Sequence, residues 1–128
     1  MIAPDLNEIT GLAEAARDGL PAPFAALAQN VRLVVEDWPD EKLLDELKVD
    51  DAYDLTGLYD GAPLPQRTND WPEPPSTVTL FRRPILDEWA ARGNVSLADL
   101  VAHVTVHEFA HHFGWSDEEI ARIDKWWE

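Results

Sequence analysis

The chain has 128 residues, enough for one domain with a substantial core, and its ten Lys and Arg against 25 Asp and Glu give a formal net charge of -15. That balance excludes wrapping a nucleic-acid backbone or sitting on an anionic membrane, both of which call for concentrated positive charge. Zero cysteines exclude disulfides, thiolate nucleophiles and Cys-ligated metals, and without a run of roughly 18 to 20 apolar residues or a basic, then apolar start a soluble cytoplasmic protein is expected.

In chain order, Leu6, Ile9, Leu12, Ala13, Ala16 and Leu20 recur at helical spacing, so 5–19 is an amphipathic helix ended near Gly19, Leu20 and Pro21. Pro23 opens a shorter helical stretch from Phe24 to Gln29. Val31 to Trp38 (VRLVVEDW) is β-branched and stopped by Pro39, which predicts a strand. Asp40 to Val49 is expected to form a short helix beneath that strand. Residues 50–76 are irregular, with the apolar piece Leu55 to Tyr59 as a strand flanked by turns. Asp60-Gly61, Pro63, Pro65, Pro72, Pro74 and Pro75 mark turns and a long loop.

Thr77 to Arg82 (TVTLFR) alternates and is β-branched, a second clear strand. Pro84 starts a helix to Ala91, closed by Gly93. Ser96 caps the next helix, which Leu97, Leu100, Val101, Val104 and Phe109 carry to about Phe113 before Gly114 ends it. Ser116 and Glu119 form a capping box for a last helix to Trp127. Helices, three strands and then helices make an α+β fold, read as a single domain over 1–128.

Residues 107–111 read His-Glu-Phe-Ala-His. Positions i and i+4 share one helix face, so the imidazoles of His107 and His111 are placed to bind one Zn²⁺. Glu108, one step round the helix, is placed to hold water beside the metal and take its proton. Gly114 and Asp117 extend the pattern to H-E-x-x-H-x-x-G-x-x-D. Two helix histidines leave a tetrahedral ion in need of a third protein ligand from another direction. A glycine after the helix lets the chain reverse and bring Asp117 back toward the metal.

With these residues the sequence resembles a family of short bacterial zincin-like metallopeptidases. The resemblance covers most of the chain, through VRLVVEDWP (31–39), LTGLYDGAPLPQR (55–67), STVTLFRRPI (76–85) and VTVHEFAHHFGWSDEEI (104–120). It implies a minimal zincin-like fold, a small mixed β-sheet packed against helices including the motif helix. It also implies zinc held by His107, His111 and Asp117, with Glu108 as general base. The implied activity is zinc-dependent hydrolysis of peptide bonds in short or unfolded polypeptides. In such a site the substrate lies extended along an edge strand above the motif helix, and Thr77 to Arg82 is the expected edge.

Each residue also has a plainer reading. Asp117 sits in the first turn of a helix, where the macrodipole alone favours an acid, and Glu118 and Glu119 are alternative donors. His103 is two turns from His111, about 12 Å along a straight helix, so the two cannot grip one ion. His112 is turned one helical step from the ligands, toward the core edge. Tyr59 and Arg83 are candidate oxyanion donors, though packing and surface roles account for both. The tryptophans, including Trp115, Trp126 and Trp127, read as core and lid material, and Asp50, Asp51 and Asp54 as solvated surface.

The competing function is a non-catalytic zinc-stabilised module that binds a partner through an exposed strand and has no need of Glu108. Metzincins are set aside because the only methionine is Met1 and the spacing to a third histidine ligand is absent. Deformylase-like enzymes need a cysteine ligand, and three-histidine ribonucleases sit badly with the charge.

Overall fold

The computed structural model describes residues 3–61, 76–115 and 118–120. Helix α1 (Leu6–Asp18) starts where the carboxylate of Asp5 accepts the Glu8 N–H at 2.8 Å, a cap worth about 1 kcal/mol. The short α2 (Phe24–Ala28) follows, and then β1 (Arg32–Glu36). Asp40 caps α3 (Glu41–Leu47) in the same way, through the Leu43 N–H at 2.8 Å. This helix buries no residue, so it does not lie beneath β1 as its sequence position suggested. Its apolar positions are too few to claim a place in the core.

A 3₁₀ turn at Ala52–Asp54 leads into β2 (Gly57–Asp60). The expected proline-rich loop after Gly61 lies outside the described residues. β3 (Thr77–Phe81) runs directly into α4 (Arg82–Arg92), with Pro84 in the first turn, where a missing N–H costs nothing. The longest element, α5 (Leu97–Phe113), begins at Ser96, whose hydroxyl accepts the Asp99 N–H at 3.0 Å. Residues 118–120 are helical, while the rest of the expected last helix lies outside the described residues.

The three strands form a mixed sheet in the order β1-β3-β2, with β1 parallel and β2 antiparallel to β3. The sequence reading made Thr77 to Arg82 an edge, but β3 is the central strand. Val78, Leu80 and Phe81 are buried to 1 % exposure or less, because β3 has a hydrogen-bonded neighbour on both sides. Among the described residues the margins are β1 and β2.

Register places Leu33, Val78 and Tyr59 in one row and Val35, Leu80 and Gly57 in the next. Alternation sends all six toward one face. Helix α5 covers that face at β2 and β3, α1 covers it at β1, and the two helices pack on each other. Ile9 and Ala13 of α1 thereby join Leu100, Val101 and Val104 of α5 in a single core. The molecule is α+β with a zincin-like arrangement: a small mixed sheet laid on the helix that carries His107 and His111.

Candidate metal centre

Helix α5 buries Leu100, Val101, Val104, Thr105, Phe109 and His112. His107, half-buried, and His111, exposed, lie on the flank that this buried stripe leaves over, with their ring centroids 5.2 Å apart. Glu108, half-buried like His107, is the member on the side facing β2. His107, Glu108 and His111 each offer a ligand atom, and these atoms all lie within 4.8 Å of one another. Two nitrogens on a common tetrahedral zinc lie about 3.3 Å apart, so side-chain rotation suffices to bring the group around one small cation. Two imidazoles beside a carboxylate are donors that suit zinc.

Strand β2 passes unusually close to this helix, and Gly57 is the reason. A β-carbon at position 57 would lie 2.9 Å from Cγ1 of Val104 and 3.0 Å from Cγ of Glu108. With no side chain there, the strand settles against α5 and the Tyr59 backbone N–H donates to the Glu108 carboxylate. Burial pushes the Glu108 carboxyl up to about 7, against the Tyr59 bond, which lowers it. A carboxyl in that range is suited to general-base work near neutrality.

The Tyr59 phenol turns inward, with its Oη 2.8 Å from Nδ1 of His112 and 3.1 Å from Oγ of Ser76. His112 is 3 % exposed. Leu58, Tyr59, Glu108 and His111 line a shallow cleft of about 310 Å³ at the margin of β2. A larger groove of about 580 Å³ lies around Trp38, Leu44 and Asp50, but it holds no histidine, so chemistry rather than size identifies the site.

At the end of α5, Gly114 adopts a left-handed conformation (φ 71°) and its N–H closes on the Ala110 and His111 carbonyls. Phe24, Phe113 and Trp115 then pack as an aromatic cluster with centroids 4.7 to 5.1 Å apart. That cluster fixes the direction in which the chain leaves the helix. Asp117, the expected third ligand, and Ser116 lie outside the described residues. Glu118 and Glu119 are exposed. The His103 ring is 6.1 Å from that of His107 on the N-terminal side. The Arg83 guanidinium sits 5.7 Å over the Trp38 ring, at the larger groove rather than at this cleft.

Sequence reasoning missed Gly57 and the Tyr59 N–H. A glycine inside a strand pattern was the available signal, since it often marks close backbone approach. Residues 28–127 match the family described as zincin-like metallopeptidase. No curated protein matches the chain.

Proposed function

The chain belongs to the zincin-like metallopeptidase family, and on that premise we propose that it is a zinc-dependent enzyme that hydrolyses peptide bonds of short or unfolded polypeptides. One observation carries the reading: His107, Glu108 and His111 converge within 4.8 Å beside β2, a strand at the sheet margin. His107 and His111 hold the ion, and Asp117 is the third protein ligand. When bound, zinc supplies Lewis acidity and lowers the pKa of a water toward ~7. Glu108 takes the proton of the attacking water and returns it to the leaving amine.

The edge that receives substrate in this reading is β2. The Thr56 carbonyl accepts the Phe81 N–H at 2.9 Å, and antiparallel pairing alternates from there. Gly57 and Tyr59 therefore direct their backbone groups away from β3, the Tyr59 N–H to the Glu108 carboxylate and the others toward the side on which an extended peptide adds as a further strand. Such pairing reads backbone rather than sequence, which suits unfolded substrates. The cleft beside Leu58 and Tyr59 takes one side chain of that peptide. Among the described residues no helix is long and apolar enough to cross a membrane, and we place the activity in the cytoplasm.

The test pairs zinc content with Glu108→Gln. Wild type should hold near-stoichiometric zinc and cleave members of a quenched-fluorescence peptide library, whereas Glu108→Gln should hold zinc and cleave none. Equal cleavage by both proteins sinks the peptidase reading. Zinc in both, with cleavage in neither, identifies a non-catalytic module.

A further inference from the structure

Tyr59 is attached to the motif helix twice. Its backbone N–H donates to Glu108, and its phenol reaches Nδ1 of His112 at 2.8 Å, one turn further along α5. Both contacts fall on the same helix, so they fix two things at once: the height of β2 above α5 and the direction in which the Glu108 carboxylate points. A tyrosine beside a zinc site invites the reading that its phenol stabilises the oxyanion. The geometry opposes that role. Tyr59 shares its row with Leu33 and Val78, on the helix-covered face, and its Oη is engaged by a buried histidine and by Ser76 at 3.1 Å. A hydroxyl already engaged by His112 and Ser76 on the helix-covered side of the half-buried Tyr59 is poorly placed to meet charge that develops in the cleft.

We infer that Tyr59 is a positioning residue, held through its phenol by His112 so that its main chain orients Glu108 and the substrate-bearing edge. The assignment of Glu108 as general base rests on the peptidase reading above, but the strand-to-helix coupling does not. His112 is the second half of the device, and its burial explains why it stands beside a ligand histidine without facing the ion.

The test uses Tyr59→Phe, His112→Phe and the double variant in the full chain. Each keeps an aromatic ring and loses the hydroxyl–imidazole bond. Hydrogen exchange reads the coupling without any substrate. The residue-59 amide should be protected in wild type, and its exchange should accelerate at least tenfold in either single variant and in Glu108→Ala. Unchanged exchange in both single variants overturns the inference, whatever Glu108→Ala does and whatever the activity. With peptide substrate, each single variant should lower kcat about tenfold at unchanged KM, and the double variant should be no worse than the singles. Zinc affinity should stay within twofold. Additive losses, or a loss in Tyr59→Phe that His112→Phe lacks, would instead make the phenol an independent catalytic donor. Protected amides with no peptide cleaved by wild type would remove the peptidase reading and leave the coupling standing.

Discussion

Gly57 and Glu108 touch across the interface of β2 and α5, where a β-carbon at position 57 would lie 3.0 Å from Cγ of Glu108 and 2.9 Å from Cγ1 of Val104. The approach to Val104 is closer than a β-carbon comes and that to Glu108 is tight, so Gly57→Ala must move either the strand or Val104 and crowds the glutamate. Overpacking of this kind costs about 1 to 3 kcal/mol. Because the helix is pinned by its core contacts, β2 should yield first and release the Tyr59 N–H from Glu108. The expected outcome is a modest fall in the urea midpoint, retained zinc and a loss of kcat/KM greater than tenfold. Unaltered turnover would show that the close approach is packing alone.

The proton affinity of Glu108 predicts a pH signature in protein stripped of metal by a chelator. Its carboxyl rises from an ordinary 4.5 to about 7, with burial as the larger cause. Between those values the native state keeps a proton that the unfolded chain has released, so this group's contribution is full below about pH 4.5 and is lost as pH climbs through 7. Other carboxylates titrate as well, so the informative quantity is the stability of wild type relative to Glu108→Gln. That difference should shift against wild type by up to about 3 kcal/mol between pH 5 and pH 8. Urea unfolding of both proteins at the two pH values decides it, and a pH-independent difference would place Glu108 in water.

The contrast between Glu108 and Tyr59 also shows what a sequence can disclose. His107, Glu108 and His111 were legible because helical periodicity alone brings i, i+1 and i+4 to one flank, and Ser96 and Gly114 marked the helix ends in advance. The caps of α5, Ser96 and Gly114, are local chemistry and were read correctly, whereas Asp5 as the cap of α1 was not singled out. The bond between Tyr59 and His112 spans 53 positions, and no local pattern encodes it. Strand order failed for the same reason. Arg32–Glu36 and Thr77–Phe81 are similarly β-branched, and which of them is central depends on pairing between distant segments. One clue was available: β2 is short and ends in Asp60, as margins of sheets often do.

The third ligand is testable by comparing neighbouring acids. Gly114 turns the chain back in a left-handed conformation, and the Phe24, Phe113 and Trp115 cluster anchors the exit. Asp117 follows within two residues, before the exposed Glu118 and Glu119. Asp117→Asn and His111→Ala should each weaken zinc binding at least tenfold, while Glu118→Gln and Glu119→Gln leave it unchanged. Competition with a chromophoric chelator measures all four. Zinc should also raise the thermal midpoint of wild type, since free ligand at 100 times its Kd adds about 2.7 kcal/mol, and should leave that of His111→Ala unmoved. A weakened Glu118→Gln with an intact Asp117→Asn would transfer the ligand role.

Helix α1 lies outside the stretch that matches the family, 28–127, yet it forms an extensive interface with the motif helix. Ile9 and Ala13 are fully buried in the cluster that contains Leu100, Val101 and Val104. Those three residues lie in the half of α5 that precedes His107, within two turns of it, so α1 supports the helix that carries the candidate site. Truncating a buried isoleucine to alanine costs about 2 to 5 kcal/mol through lost burial and the cavity left behind. Ile9→Ala should therefore lower stability by that amount while leaving zinc affinity within a few-fold at temperatures where the protein remains folded. Urea unfolding and zinc competition on the same variant separate the two effects. A change in stability below about 0.5 kcal/mol, typical of surface positions, would make α1 an appendage rather than part of the core.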